Sequence, residues 1–333
     1  MLDAIVVKIS SQYSNFAADT SPRSKALLIA SYLRENNLTG IDRDRDYHEL
    51  AHNFLGMALK DRNHNSLPLI SAAIYCYIAQ SLGLKARLCG FPFHVYVIII
   101  PPPGIDMDGR SLSDGSSGEV MYMDPFRSTN ETPVSDLKSQ LNYLGATAFE
   151  QSHFLRESRT SEIVLRCGKN IVNSIELITQ PLDPASSSVN PVGAKYAGLW
   201  STILCIAAVR PMELRQYLPA LMELFATDFP SDIGLIEHYL VPLCRGFLEY
   251  EHLLESLHIM RAVDEMPKQL HHRTDEHQNV RYHIGEVFCH RRYNYRAIIT
   301  GWDVECGANE EWMRRMGIDR LQWGRYQSFY HAL

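Results

Sequence analysis

Residues 65–97 read NSLPLISAAIYCYIAQSLGLKARLCGFPFHVYV, and residues 121–126 read MYMDPF. The part from Leu67 to Leu82 is apolar nearly all round, which predicts a helix buried in the middle of a domain. Pro68 suits the first turn of this helix, and Gly83 suits its end. The helix is followed by a strand, by a histidine that opens a second strand and by an aspartate that closes a third. The pattern predicts a mixed α+β domain.

A polar insertion interrupts the predicted hairpin between the runs Val95–Ile100 and Val120–Asp124. The insertion, Pro101–Gly118, reads PPPGIDMDGRSLSDGSSG. A segment of this composition buries too little apolar surface to offset the entropy lost on ordering. We therefore predict a mobile loop. Residues 102–119 should be the preferred site of limited proteolysis, and deleting most of them should leave the melting temperature nearly unchanged.

Helical periodicity dominates the rest of the chain up to about residue 265. Two helices are predicted before the central one, at Ser24–Asn36 and Tyr47–Leu59. An all-helical extension is predicted at residues 151–265, with helices at Glu162–Ile178, Gly198–Ala208, Met212–Phe225, Ile233–Leu243 and Tyr250–Val263. Prolines separate these segments, as expected where one helix ends and the next begins.

A polar stretch at residues 266–280 predicts a linker. After it, short runs rich in Val, Ile, Tyr and Trp alternate with turns at residues 281–333. Strands are predicted at Glu286–Cys289, Tyr295–Trp302 and Phe329–Leu333. We expect these strands to form a small antiparallel β-barrel.

Composition excludes several classes of protein. The chain has 333 residues, of which 46% are hydrophobic and 21% charged, as in soluble globular proteins of two or three domains. No run reaches about 18 uncharged apolar residues, so no membrane partner is expected. The seven cysteines form no CxxC pair, so we expect no disulfide framework, no metal and no cofactor, and a location in the cytoplasm or nucleus. The net charge of −6 argues against general attraction to nucleic acid.

The order of central helix, LGL-x-AR turn, strand, histidine and DPF resembles the transglutaminase-like fold, and within it the SirB-type branch. The resemblance implies a papain-like α/β domain over residues 1–150. In active relatives a cysteine at the start of the central helix is the nucleophile, a histidine is its base and an aspartate orients the histidine. His94 matches that histidine, and Asp124 matches that aspartate.

The expected nucleophile is missing. Residues 65–71 contain no cysteine, and Ser66 occupies the vestigial position of the triad. Cys76 and Cys89 lie too far from the helix start for its dipole to activate them. We therefore predict a pseudoenzyme in which His94 and Asp124 form a buried pair that holds two strands in register. A serine or cysteine transferase or hydrolase that uses His94 and Asp124 remains an alternative.

Residues 285–333 read GEVFCHRRYNYRAIITGWDVECGANEEWMRRMGIDRLQWGRYQSFYHAL. The combination of HRRY-x-YR, GWD, EEW and GR-x-Q-x-FYH closely resembles the YccV-like domain, also called the hemimethylated-DNA-binding domain. The candidate binding residues are His290, Arg291, Arg292, Tyr293, Tyr295, Arg296, Trp302, Asp303, Trp312, Tyr330 and His331.

The charge of this domain leaves two interpretations open. Residues 281–333 hold eight arginines, no lysine and six acidic residues, a net charge of +2. The HRRY cluster could contact phosphates and stack on bases. Alternatively, its arginines pair with Asp303, Glu310 and Glu311 while the aromatic side chains fill the barrel. Because the charges nearly balance, we expect protein recognition rather than DNA binding.

The order of the two domains resembles one group of eukaryotic F-box proteins. In that group an F-box upstream docks to the adaptor of a cullin–RING ubiquitin ligase, and the later domains hold the substrate. We find no F-box helices in this chain, whose start resembles the middle of a longer protein. The resemblance implies the substrate-recognition portion of such a protein, with a protein substrate or degron as partner. DNA binding through the YccV-like domain is the alternative.

Overall fold

A computed structural model describes residues 1–13, 16, 21–41, 47, 49–113, 116, 118–177, 189–266, 272–274, 277–291 and 294–333. The chain divides into two compact units, Met1–Asp264 and Glu265–Leu333. The division falls beside the predicted linker at residues 266–280. Residues 267–271 and 275–276 of the linker lie outside the described residues. The fold combines helices and antiparallel sheets, so the predicted α+β class is confirmed.

The first unit is mainly helical and contains one sheet. Its early elements are α1 (Leu2–Gln12), α2 (Pro22–Glu35), α3 (Leu55–Lys60), α4 (Pro68–Ser81), β1 (Lys85–Cys89), β2 (Tyr96–Ile100), β3 (Met121–Met123), β4 (Glu131–Thr132), α5 (Val134–Tyr143) and α6 (Ala148–Phe154). The helical extension follows as α7 (Thr160–Glu176), α8 (Pro191–Val209), α9 (Leu214–Thr227), α10 (Ile233–Leu235), α11 (Val241–Cys244) and α12 (Tyr250–Glu265). The predicted central helix is α4, and most other predicted helices lie within a few residues of their observed bounds.

Two predicted helices are interrupted. The helix expected at Tyr47–Leu59 is a 3₁₀ turn, Leu50–Asn53, followed by α3. The His52 carbonyl accepts a hydrogen bond from the Leu67 amide at 3.1 Å, so a distant segment uses a group that a continuous helix would need. The helix expected at Ile233–Leu243 contains a π-helical turn between α10 and α11.

The sheet has the order β1-β2-β3-β4, with every pair antiparallel. Alternate residues of β2 face opposite layers: Val97 and Ile99 pack in a core that includes α4, whereas Tyr96 and Ile98 pack beside Leu137 of α5. Both faces of this strand are therefore covered, which explains why its sequence is apolar throughout rather than alternating.

The insertion between β2 and β3 is more ordered than the sequence predicts. Met107 is only 4% exposed and belongs to the main core of the unit. Its carbonyl accepts hydrogen bonds from the Arg23 amide at 2.9 Å and from the Ser21 hydroxyl at 3.1 Å. The Asp106 carboxylate accepts from two amides of its own turn. The prediction of a mobile loop is wrong for residues 101–113, because the Met107 side chain is buried in the core and the Met107 carbonyl bonds to the start of α2.

The helical extension has its own core. Leu199 and Ile203 of α8 are buried beside Leu221 and Phe225 of α9. By length and composition α8 could cross a membrane, and in the described part of the chain it is the one helix with this property. The apolar residues of α8 that are buried inside the unit are Ala194, Leu199, Ile203, Ile206 and Ala207.

In its described residues the second unit contains one small sheet and one helix of more than one turn. Its elements are β5 (Val287–Cys289), β6 (Arg296–Asp303), α13 (Glu310–Met316) and β7 (Phe329–Ala332). The three strands are antiparallel in the order β5-β6-β7, as predicted. In the described residues they form an open sheet rather than a closed barrel, because the two edge strands, β5 and β7, do not pair with each other.

Candidate functional site

The structure brings His94 and Asp124 together. His94 lies just before β2, and Asp124 directly follows β3, its antiparallel neighbour in the sheet. The Nε2 atom of His94 lies 2.9 Å from Oδ2 of Asp124, and both side chains are almost fully buried. The other carboxylate oxygen accepts hydrogen bonds from the amides of Phe126 and Arg127, each at 3.2 Å. Strand register and the DPF turn together place the carboxylate against the imidazole.

The ring of His94 has no well-aligned polar partner. Neither ring nitrogen forms a hydrogen bond of good geometry with any described residue. The Nε2 atom is therefore close to the Asp124 carboxylate without the angles of a hydrogen bond. The ring packs edge-on against Tyr96, with centroids 4.8 Å apart, and lies 6.2 Å from the ring of Phe126. Burial, and secondarily the charge of Asp124, raises the pKa of Tyr96. The surroundings of the imidazole are aromatic rather than nucleophilic.

The serine predicted as the vestigial third member lies elsewhere. Ser66 precedes α4 by two residues, and its hydroxyl lies 2.7 Å from that of Ser71. The Ser71 hydroxyl also accepts a hydrogen bond from the Gly40 amide at 3.1 Å. Both serines are fully buried. Their hydroxyls therefore stabilise the contact between α4 and the Gly40 loop, and neither bonds to His94.

An open cleft lies beside the histidine. Its volume is about 510 Å³. Its lining comes from the turn before β2, the start of β2, the turn after β3 and the end of α5: Phe91, Pro92, Phe93, His94, Tyr96, Arg127, Ser139, Gln140, Tyr143 and Leu144. The sequence predicted His94 here but none of the other lining residues. The one local signal was the Phe-Pro-Phe turn, which places large apolar side chains on a tight loop.

The described residues of the HRRY region, His290 and Arg291, directly follow β5. The His290 ring stacks on Tyr295, with centroids 4.8 Å apart and planes 13° from parallel. The side chains of Arg291 and Arg296 are exposed. Arg292 and Tyr293 lie outside the described residues. The described residues around the end of β5 and the start of β6 thus combine a stacked ring pair with neighbouring cations.

The remaining candidate residues of this unit have mainly structural contacts. The Trp302 ring lies 5.1 Å from His277. The Tyr330 hydroxyl accepts hydrogen bonds from two backbone amides, and Trp312 is half-buried in the first turn of α13. The His331 Nε2 atom lies 2.8 Å from Asp303, so this aspartate contacts a histidine and not an arginine.

Among the described residues of the second unit, fewer arginines pair with a carboxylate than the sequence suggested. Arg325 pairs with Glu310 at 2.6 Å and with Asp319 at 3.4 Å. No carboxylate of the described residues lies within ion-pair distance of Arg291 or Arg296. The interpretation in which the arginines of this cluster pair with Asp303, Glu310 and Glu311 is therefore wrong for Arg291 and Arg296. Within the described ranges, no three His, Cys, Asp or Glu residues are grouped as metal ligands would be.

Comparison with known protein families assigns both units. Residues 1–169 match the transglutaminase-like superfamily, which covers more than half of the chain. The chain belongs to the transglutaminase-like superfamily. Residues 280–333 match the family described as hemimethylated DNA-binding protein YccV like. The transglutaminase-like match extends into α7 and so includes His94, Asp124 and the cleft.

The curated relatives of this transglutaminase-like chain include F-box only protein 21 from three mammals. The Homo sapiens and Mus musculus proteins are each 23% identical over 334 residues, which is 96% of this chain and 49% of the relative. The Pongo abelii protein is 24% identical over 325 residues, which is 96% of this chain and 48% of the relative. The chain thus spans about half the length of the curated relatives it matches. No solved structure was found to match it.

The buried cysteines of the transglutaminase-like domain are poorly suited to nucleophilic attack. Burial raises the pKa of Cys76 and of Cys89 to about 12, despite small opposing effects that include nearby arginine charges. The Cys89 thiol donates to the Phe154 carbonyl at 3.0 Å. Burial also raises the pKa of Cys167. At neutral pH these thiols stay protonated, and the thiol is far less nucleophilic than the thiolate.

Alkylation should follow burial and not proximity to His94. With iodoacetamide at pH 7.5, the exposed Cys289 should be modified first, whereas Cys76 and Cys89 should react only after unfolding. Peptide mass spectrometry of timed samples measures each rate. His94→Ala is the matched variant and should leave this order unchanged. Rapid modification of Cys76 or Cys89 in the native chain, abolished by His94→Ala, would show an activated thiol.

Proposed function

We propose that this chain is the substrate-binding part of an F-box protein that serves a cullin–RING ubiquitin ligase. Its transglutaminase-like domain then acts as a binding module and not as an enzyme. The observation that carries the proposal is the buried His94–Asp124 pair, which has no hydroxyl or thiol partner among the described residues and lies beside an open aromatic cleft. The relatives named F-box only protein 21 support the ligase context.

The non-catalytic part of the proposal rests on the start of α4. A nucleophile there would be favoured by the positive end of the helix dipole. The residues at this helix start are instead Ser66 and Leu67, and the Ser66 hydroxyl bonds to Ser71. A serine also needs a base within hydrogen-bond distance, and His94 does not provide one in this arrangement. The retained imidazole and carboxylate then serve to shape the floor of the cleft.

The binding part of the proposal rests on the rim of the cleft. Phe93 is 86% exposed and Tyr143 is 92% exposed, and both line the cavity. Aromatic side chains that stand in water beside a concave surface are typical of binding sites for proteins. The volume of the cleft lies in the range of sites that enclose a small ligand or a few residues of a peptide.

Capture from cell extract with matched variants tests this function. Phe93→Ala combined with Tyr143→Ala should remove the proteins that the cleft holds, and those proteins should have longer half-lives in cells that lack this protein. Phe149→Ala is the control, because Phe149 is 83% exposed but lies outside the cleft lining. Quantitative mass spectrometry of captured proteins and cycloheximide chases provide the two readouts. Captured proteins that do not depend on the cleft, or whose half-lives do not change, would contradict the proposal.

DNA binding by the YccV-like domain is the second candidate, favoured by the exposed Arg291 and Arg296 without described acidic partners. If these arginines contact phosphates, Arg291→Ala combined with Arg296→Ala should reduce the salt slope of duplex binding by about 2. We expect instead that the full chain binds duplexes feebly at about 0.15 M salt, without preference for hemimethylated sites. Fluorescence anisotropy across a salt series measures both quantities. Nanomolar affinity with a slope that falls in the double variant would favour DNA binding.

A further inference from the structure

The cleft beside His94 combines an apolar rim with one permanent cation. Phe93, Tyr143 and Leu144 form the rim, and Arg127 is the only side chain of the lining with a permanent positive charge. We propose that this cleft binds a short peptide in which an acidic residue lies next to a large apolar residue. The apolar side chain lies between Phe93 and Tyr143, and the carboxylate pairs with Arg127. This inference rests on the proposed function as a substrate receptor.

The apolar part of the proposal depends on how Phe93 is held. Its backbone has φ of 61°, in the left-handed region that residues other than glycine rarely adopt. Such a conformation is unfavourable and persists where the surrounding structure imposes it, often at binding sites. Pro92 precedes it, and the His94 amide donates to the Phe91 carbonyl at 3.3 Å, which closes the turn. The strained turn presents an apolar ring to solvent instead of burying it.

The acidic part of the proposal depends on the charges around the cleft. Arg127 is exposed and forms no ion pair with a carboxylate of the described residues. Its neighbours in the lining, Ser139 and Gln140, are neutral, and the Ser139 hydroxyl already donates to a backbone carbonyl of its own helix. The Asp124 carboxylate is buried and accepts from two amides, so it cannot replace a ligand's carboxylate. An arginine in this position suits a carboxylate, which its planar guanidinium can bind through two parallel hydrogen bonds.

Selection from a phage-displayed library of random heptapeptides tests the inference on the full chain. Recovered peptides should be enriched in Asp or Glu beside Phe, Leu, Met or Trp. The strongest peptide is then synthesised with an amidated C-terminus, so that only a side-chain carboxylate remains. Changing its acid to the corresponding amide should weaken binding about tenfold, measured by fluorescence polarisation.

Reversing the charge of residue 127, and then that of the peptide, is the decisive test of the proposed ion pair. Arg127→Glu should weaken the acidic peptide about tenfold or more, and a peptide with Lys in place of the acid should recover part of that loss. Arg62→Glu is the matched control, because Arg62 is also exposed but lies outside the cleft. The changes made in the peptide keep the test valid even if Arg127→Glu fails to fold.

Three results would overturn the inference: no enriched peptide, enriched peptides without an acidic preference, or equal effects of Arg127→Glu and Arg62→Glu. Peptides that bind in the cleft without acidic preference would overturn this inference but not the proposed receptor function. The receptor function would then still stand on the capture experiment. If no peptide is enriched and the captured proteins are also insensitive to Phe93→Ala combined with Tyr143→Ala, both proposals fail.

Discussion

Replacing Met107 by alanine should lower the free energy of unfolding of the first unit by about 3 kcal/mol. The side chain is 4% exposed and packs in the main core, so its loss leaves a cavity that the neighbouring α2 and α4 cannot fill. The substitution should also loosen the turn around Asp106, because the side chain that anchors this turn in the core is lost and only the bonds of the residue 107 carbonyl to the Arg23 amide and the Ser21 hydroxyl remain. Denaturant unfolding followed by circular dichroism measures the change.

Met212→Ala is the matched control for this prediction. Met212 is 77% exposed, so its truncation should change stability by less than about 0.5 kcal/mol. Limited proteolysis should cleave the Met107→Ala variant within residues 101–113 faster than the parent chain. Equal stability of the two methionine variants would mean that the insertion contributes nothing to the core, as its composition alone suggests.

Gly168→Ala should lower the free energy of unfolding by about 2 kcal/mol, although alanine is the better helix former. Gly168 lies where α7 crosses α8, and a Cβ atom there would stand 2.4 Å from the Thr202 hydroxyl and 2.8 Å from the Gly198 carbonyl. The backbone of α8 cannot yield without separating the two helices. The same change at Gly193 of α8 would meet no atom closer than 3.9 Å.

Gly193→Ala therefore separates packing from helix propensity. It should leave stability unchanged or raise it by up to about 1 kcal/mol. Thermal unfolding of both variants under one condition makes the comparison. If Gly168→Ala proves as stable as Gly193→Ala, the contact between α7 and α8 is looser than the structure indicates, and the helical extension does not depend on it.

Local patterns predicted the elements whose formation depends on residues close together in the chain. The apolar run from Leu67 to Leu82, with Pro68 at one end and Gly83 at the other, predicts α4 to within a residue. The absence of a cysteine at residues 65–71 and the presence of His94 and Asp124 follow from the sequence directly. Helix caps and burial periods are encoded within a few residues, so they can be read without a structure.

The tertiary structure alone decided which polar groups meet. The register of β2 and β3 places Asp124 against His94, whereas the packing of α4 on the Gly40 loop directs the Ser66 hydroxyl to Ser71. The buried position of Met107 has no local signal, and the Phe-Pro-Phe run does not by itself show that Phe93 is exposed with a positive φ. Such features arise from contacts between segments far apart in the chain, and one buried side chain outweighs the polar composition around it. The sequence thus determined the family, the central helix and the absence of a cysteine at residues 65–71, and the long-range packing created the cleft.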